Sequence, residues 1–272
     1  MITSALLLPA AFVLILCFFL PLVQLLAISF SGDGGPFSAY TTILSDEVFR
    51  AVFLSTLQMA FVVTLITVLL GYPAAYLLSR LRGAKLSIAL YCVLVPFWIS
   101  VLVRSFSWIL LLERNGPINT LLVKSSLVEK PAQLLFNDFS VYLGMVHVLL
   151  PYAILPIYTA MLKVDQRLLL ASNGLGASET QTFFRVYLPL TSGGTAAAGL
   201  FVFLMALGFY ITPALLGGLH NLTVAMLIDN LINERLVWPL AAAASFILLV
   251  TILLLLLVAS RFISIGRITD VR

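Results

Sequence analysis

The sequence predicts an all-α, polytopic membrane bundle of about six transmembrane helices. Three observations carry that expectation. Hydrophobic residues make up 62% of the chain and charged residues only 10%, with a mean hydropathy of +1.14, whereas a soluble domain is roughly a quarter charged. Several apolar runs reach about 20 residues or more, the length that crosses a hydrocarbon core, and they lack the polar face of a water-soluble helix. Basic residues gather in alternate connections, as they do in chains threaded through a membrane. A single membrane domain over 1–272 is expected, with core spans at about 54–262.

In order, the first run is Leu6 to Phe30. No basic residue precedes it and it is too long for a signal-peptide core, so it reads as a retained span. Ser31 to Pro36 is a turn-rich exit, and Phe37 to Val52 has room for a short interfacial helix. The second span, Leu54 to Leu78, contains Gly71-Tyr72-Pro73, and Pro73 is expected to kink it. Ser79 to Lys85 is a short basic turn. The third span is read as one run, Leu86 to Leu112, holding Pro96 and Arg104. A mixed loop from Glu113 to Asp138 leads to the fourth span, Phe139 to Leu162, with His147, Pro151 and Pro156. The fifth starts near Thr195 and reaches Tyr210, where Ile211-Thr212-Pro213 and Gly217-Gly218 force a break. Leu219 to Trp238 reads as a loop, and Leu240 to Phe262 is the sixth span, followed by a basic tail.

Charge sets the orientation. Arg80, Arg82, Lys85, Lys163, Arg167, Arg185, Arg261, Arg267 and Arg272 fall in one set of connections, and Arg50, Arg114, Lys124, Lys130 and Arg235 in the other. The basic bias of nine to five predicts that the first set, and both termini, are cytoplasmic.

One cytoplasmic connection, Lys163 to Pro189, reads as folded. Asp165 is placed to cap a short helix by accepting from its free N–H groups. Asn173-Gly174-Leu175-Gly176 ends that helix. Ser178 with Gln181 forms a capping box that opens a second helix, and Tyr187-Leu188-Pro189 is read as its end.

This stretch carries a resemblance. Type I ABC importer permeases share a signature E-A-A-x-x-x-G, nine residues, I-x-L-P. Here Leu170-Ala171-Ser172, Gly176 and Val186-Tyr187-Leu188-Pro189 keep the spacing, with Leu170 where the family has glutamate. Gly71-Tyr72-Pro73, Val95-Pro96-Phe97-Trp98, Leu150-Pro151-Tyr152, Leu175-Gly176-Ala177-Ser178 and Leu216-Gly217-Gly218 further resemble the spermidine/putrescine branch. The resemblance implies a bacterial inner-membrane permease subunit that is not itself an enzyme. It implies a second, homologous permease, two ATPase subunits that hold ATP and Mg, and a periplasmic binding protein. Leu170, Ala171, Ser172, Gly176, Ala177, Ser178, Val186, Leu188 and Pro189 would then form the loop that docks on the ATPase. The implied cargo is a polyamine; another small organic solute, such as an opine, amino acid or aminophosphonate, is the alternative.

The residues themselves narrow the chemistry. No G-x-x-x-x-G-K-[ST] is present, and none of the lysines follows a glycine-rich loop, so no nucleotide cofactor is expected on this chain. No Asp or Glu lies within any of the six runs. That disfavours a gradient-driven carrier and an intramembrane aspartyl protease alike. His147 has no Gly-x-Ser companion for hydrolysis and reads as a helix-packing group. Cys17 and Cys92 lie in apolar runs, and neither a disulfide framework nor a metal site is suggested. No nucleic-acid partner is indicated; the surrounding partner is lipid. Arg104 is the one charge in a span. It reads either as a pathway residue held among Phe97, Ser100, Val101 and Trp108, or as a side chain that snorkels or pairs with an acid on a neighbouring span. Trp98, Arg104, Tyr210 and Thr212 are the candidate pathway residues, because irregular backbone at membrane depth survives only where protein or a cavity buries it.

Overall fold

The computed structural model describes residues 9, 12–32, 34–218 and 221–268, the side chains of 262–268 excepted. The start of the first run and both termini, whose cytoplasmic placement the charges predict, lie outside the described residues. The described residues form helices and connections only. Five helices are long and apolar enough to cross a membrane, and a bent pair makes six if counted as one span.

The helices are α1 (Phe12–Ser29), α2 (Ser38–Ser45), α3 (Glu47–Arg80), α4 (Gly83–Trp98), α5 (Val101–Leu112), α6 (Pro117–Lys124), α7 (Asp138–Leu162), α8 (Gln166–Gly174), α9 (Glu179–Leu207), α10 (Ile211–Leu216), α11 (Val224–Asn233) and α12 (Trp238–Ile268). Two compact units emerge, residues 1–54 with 224–255, and 55–223 with 256–272.

In the first unit, Ile43, Phe49, Val52, Val224, Leu231, Ala241 and Ala244 form a buried core. Val224, Leu227, Ile228, Leu231 and Ile232 recur at helical spacing, so α11 lays one apolar face on this core. Within the stretch 219–238, read as a loop from sequence, Val224–Asn233 therefore form a helix. Its polarity had masked a one-sided apolar stripe only ten residues long.

In the second unit α7 is the central helix, with Met145, Leu149, Ala153 and Ile157 all fully buried. It packs closely on α9: a Cβ built on Gly194 would lie 2.2 Å from Ala160 Cβ. Only glycine lets the two backbones approach this far.

Expectations for the third and fifth spans also need correction. The third span is not one run. It breaks at Ile99–Ser100, where Ile99 is extended, and α4 meets the segment Val101–Lys124, which α5 opens, at 98°. Pro96 supplies no N–H and its ring crowds the preceding turn, and the helix tightens to an Ile99 N–H to Pro96 carbonyl bond before ending. The shared face drawn from Phe97 and Ser100 to Arg104 is thereby lost; Trp108, on α5 itself, keeps its place. The fifth span does not begin near Thr195, nor does Tyr187-Leu188-Pro189 end the loop. One helix runs from Glu179 to Leu207 through a π turn at Phe183–Tyr187. The wider turn falls just before Pro189, which supplies no N–H to the ladder and whose ring crowds the preceding turn. The second span holds Pro73 inside one continuous helix.

Candidate functional site

The elbow between α8 and α9 is built by backbone chemistry. Asp165 Oδ1 accepts from the Arg167 N–H at 2.8 Å and opens α8. At the other end, the Gly176 N–H donates to the Asn173 carbonyl at 3.0 Å and the Ala177 N–H to the Ser172 carbonyl at 3.2 Å. This is a Schellman closure, and it needs a left-handed residue at Gly176, whose φ is +90°. Gly176, not Gly174, is thus the breaker. Ser178 and Gln181 then exchange side-chain-to-backbone bonds at 3.1 and 3.3 Å, the capping box expected.

Sequence reasoning missed what holds the elbow shut. Thr182, 6% exposed, donates to Asn173 Oδ1 at 2.7 Å and lies 3.0 Å from Ser172 Oγ. A threonine facing a Ser-Asn pair across a glycine turn is a weak signal, because only the folded turn brings them together. The elbow is tied to α3 through rings. Tyr76 meets Phe183 and Tyr187 edge-on, each at 5.4 Å, and Tyr72 Oη lies 2.8 Å from Thr191 Oγ1. Arg80 covers the Tyr76 ring at 5.0 Å. A cavity of about 250 Å3 lies between Tyr76, Arg80, Leu169, Asn173, Glu179 and Phe183.

Leu170 and Leu175 project outward, 70% and 89% exposed. Ala171, Ser172, Gly176, Ala177 and Ser178 share this elbow with them. Val186 lies in the π turn, and Leu188 and Pro189 in the helix just beyond it.

The candidate pathway residues occupy the broken helices. Thr212 of α10 and Ser105 of α5 are both buried, with hydroxyls 3.3 Å apart. A Cβ on Gly144 of α7 would lie 2.7 Å from Thr212 Cγ2 and 2.4 Å from Leu216 Cδ1, so α10 sits directly on the α7 backbone. Ser140 Oγ donates to the Leu216 carbonyl at 2.8 Å, and the Asn221 amide donates to Asp138. Arg104 is beside Ser105 and only 8% exposed, with its Nε unpaired among the described residues. Trp98 ends α4 at 90% exposure, and Tyr210 precedes α10 at 40%. The structure therefore sets Thr212 against Ser105, the chain neighbour of Arg104 on α5, and leaves Trp98 exposed. Trp108 Nε1 donates to His147 Nδ1 at 3.1 Å, a packing role for the histidine. Phe97, Tyr152 and Phe201 form a ring ladder, at 4.7 and 6.0 Å, that sequence reading did not single out.

Comparison with known proteins follows the same lines. Residues 67–264 match the family described as binding-protein-dependent transport system inner membrane component. The chain is 36% identical over 233 residues to a spermidine/putrescine transport system permease protein PotB of Haemophilus influenzae, covering 83% of this chain and 82% of that one. It is 35% identical over 244 residues to PotB of Escherichia coli, covering 85% and 87%. Among solved structures it resembles a bacterial alginate ABC transporter in complex with alginate pentasaccharide-bound periplasmic protein. That likeness has a TM-score of 0.78 at 18% identity, covering 95% of this chain and 92% of that one. A helical membrane chain with this elbow, matched over most of its length, thus belongs to the binding-protein-dependent inner-membrane components, the multi-pass permease subunits of type I ABC importers, and is a transport subunit rather than an enzyme.

Proposed function

We propose that this permease imports a polyamine, spermidine or putrescine, and that its elbow couples transport to a partner ATPase. The observation that carries the coupling is the elbow itself. A Schellman turn and a capping box present Leu170 and Leu175 outward as a rigid apolar pair, and the second elbow helix continues unbroken into a membrane span. A push on the elbow therefore moves that span without an intervening hinge loop. Leucine at position 170 replaces a charged contact with an apolar one on the docking face. The charge bias that places the elbow in the cytoplasm supports the same reading.

The polyamine cargo is supported by the relatives' names and by the aromatic faces near the break. Trp98 and Tyr210 offer an ammonium group weak cation–π contacts, about 0.5–2 kcal/mol each, which suits a passage site from which cargo must also leave. ATP and Mg belong to the ATPase partners, a second permease completes the pathway, and a periplasmic binding protein delivers the cargo.

Reconstitution of this chain with its permease, ATPase and binding-protein partners in proteoliposomes tests the reading. Spermidine or putrescine loaded on the binding protein should stimulate ATP hydrolysis and accumulate inside. Uptake that runs on an ion gradient without ATP would instead make the chain a secondary carrier, and stimulation only by another solute would replace the cargo.

A further inference from the structure

Arg104 lies one turn into α5, in the bent α4–α5 pair, with Nε sealed inside the second unit. The residue's remaining exposure, 8%, belongs to other atoms. Its terminal nitrogens hydrogen-bond to none of the described residues, so they are the part of the guanidinium that faces outward. The titratable side chains within electrostatic reach are Tyr152 and His147 of α7, and a tyrosine and a histidine supply no negative charge near neutral pH. No Asp or Glu occurs in any of the six long apolar runs of the chain, and the short apolar helix α11, which carries Asp229, belongs to the first unit. An arginine keeps its proton under all ordinary conditions, so it cannot escape the cost of burial by neutralising itself. Such a charge persists in a membrane segment where another group compensates it. A polycationic cargo repels it and cannot be that group.

We propose that Arg104 is an inter-subunit charge site, whose guanidinium receives a carboxylate carried by a membrane helix of the second permease subunit. The proposal rests on the pairing of two permeases described under Proposed function. The planar guanidinium suits a carboxylate because its two outward nitrogens match the two oxygens.

The test uses the assembled transporter, with recovery of the second permease on an affinity tag carried by this chain as the readout. That recovery does not depend on which solute is carried, so failure of the polyamine reading leaves the test intact. Arg104→Gln should lower recovery by about thirtyfold, the lower end for removing one member of a desolvated charge pair. Arg104→Lys should lower it less. Arg104→Glu should abolish it, with recovery restored by an Asp or Glu to Arg change in a span of the second permease. Membrane insertion of each variant expressed alone checks that folding is intact. Full recovery with Arg104→Gln overturns the proposal, whether or not uptake is lost. So does recovery that follows the phosphatidylglycerol content of the bilayer and loses that dependence in Arg104→Gln, which would make a lipid headgroup the partner.

Discussion

Replacing Gly176 separates two ways in which the elbow could fail. Its φ of +90° lies in the region that residues with a Cβ avoid, yet a Cβ built there meets nothing within 4 Å. The penalty is therefore in the backbone and is nearly independent of side-chain size. For an L-residue it is roughly 1–2 kcal/mol, a factor of about 5–30 in the population of the closed turn. Gly176→Ala should already weaken the bonds from Gly176 and Ala177 to the Asn173 and Ser172 carbonyls. Gly176→Asn should weaken them less, since asparagine tolerates left-handed angles. Hydrogen exchange at the 176 and 177 amides should speed by that factor, and transport per ATP hydrolysed should fall in the same order, with membrane insertion unchanged. If Gly176→Ala behaves as wild type while Gly176→Phe is inactive, backbone strain is not the cause and the bulk of the side chain at the docking face is.

Other outcomes follow from single contacts. Gly144→Val should displace α10, because Thr212 and the fully buried Leu216 lie within 2.7 Å of the new Cβ; a cost of about 1–3 kcal/mol should appear as a lower Tm in detergent, and unchanged stability would contradict the close packing. Thr182→Val keeps the shape but removes the hydroxyl between Ser172 and Asn173, so the elbow should loosen by about 1–2 kcal/mol, read as faster proteolysis at 172–178. Reporters fused after Arg82 or Leu175 should label as cytoplasmic, and those after Val128 or Asn221 as external; opposite labelling at Leu175 would remove the docking role. Trp98→Ala and Tyr210→Ala should slow uptake while the binding protein's affinity stays the same, and unaltered uptake in both would return these residues to packing.

Much of the elbow was legible because its determinants are local. Asp165, Gly176 and the Ser178–Gln181 box act on backbone within three residues of themselves, so their order in the chain already contains the geometry. Spans were legible for a related reason: the hydrocarbon core demands a run of apolar residues whatever the neighbouring helices do. Boundaries set by proline were not. Pro73 is absorbed in a continuous helix, Pro96 precedes a 98° break, and Pro189 follows a π turn. The same missing N–H has three outcomes, because neighbouring helices and turns decide how the freed carbonyl is satisfied.

By itself the sequence determined the helical membrane class, the orientation bias, the elbow's turn and the lack of any acid within the six apolar runs. Each of these depends on composition or on short-range chemistry. Only the tertiary structure decided that Thr182 pins the elbow, that Tyr76 and Phe183 tie it to α3, that α10 rests on Gly144, and that Arg104 is buried with an unpaired Nε. These are contacts between residues tens of positions apart or across a turn, and their partners are chosen by which helices can approach closely enough, a property of backbone packing that no single stretch of chain contains.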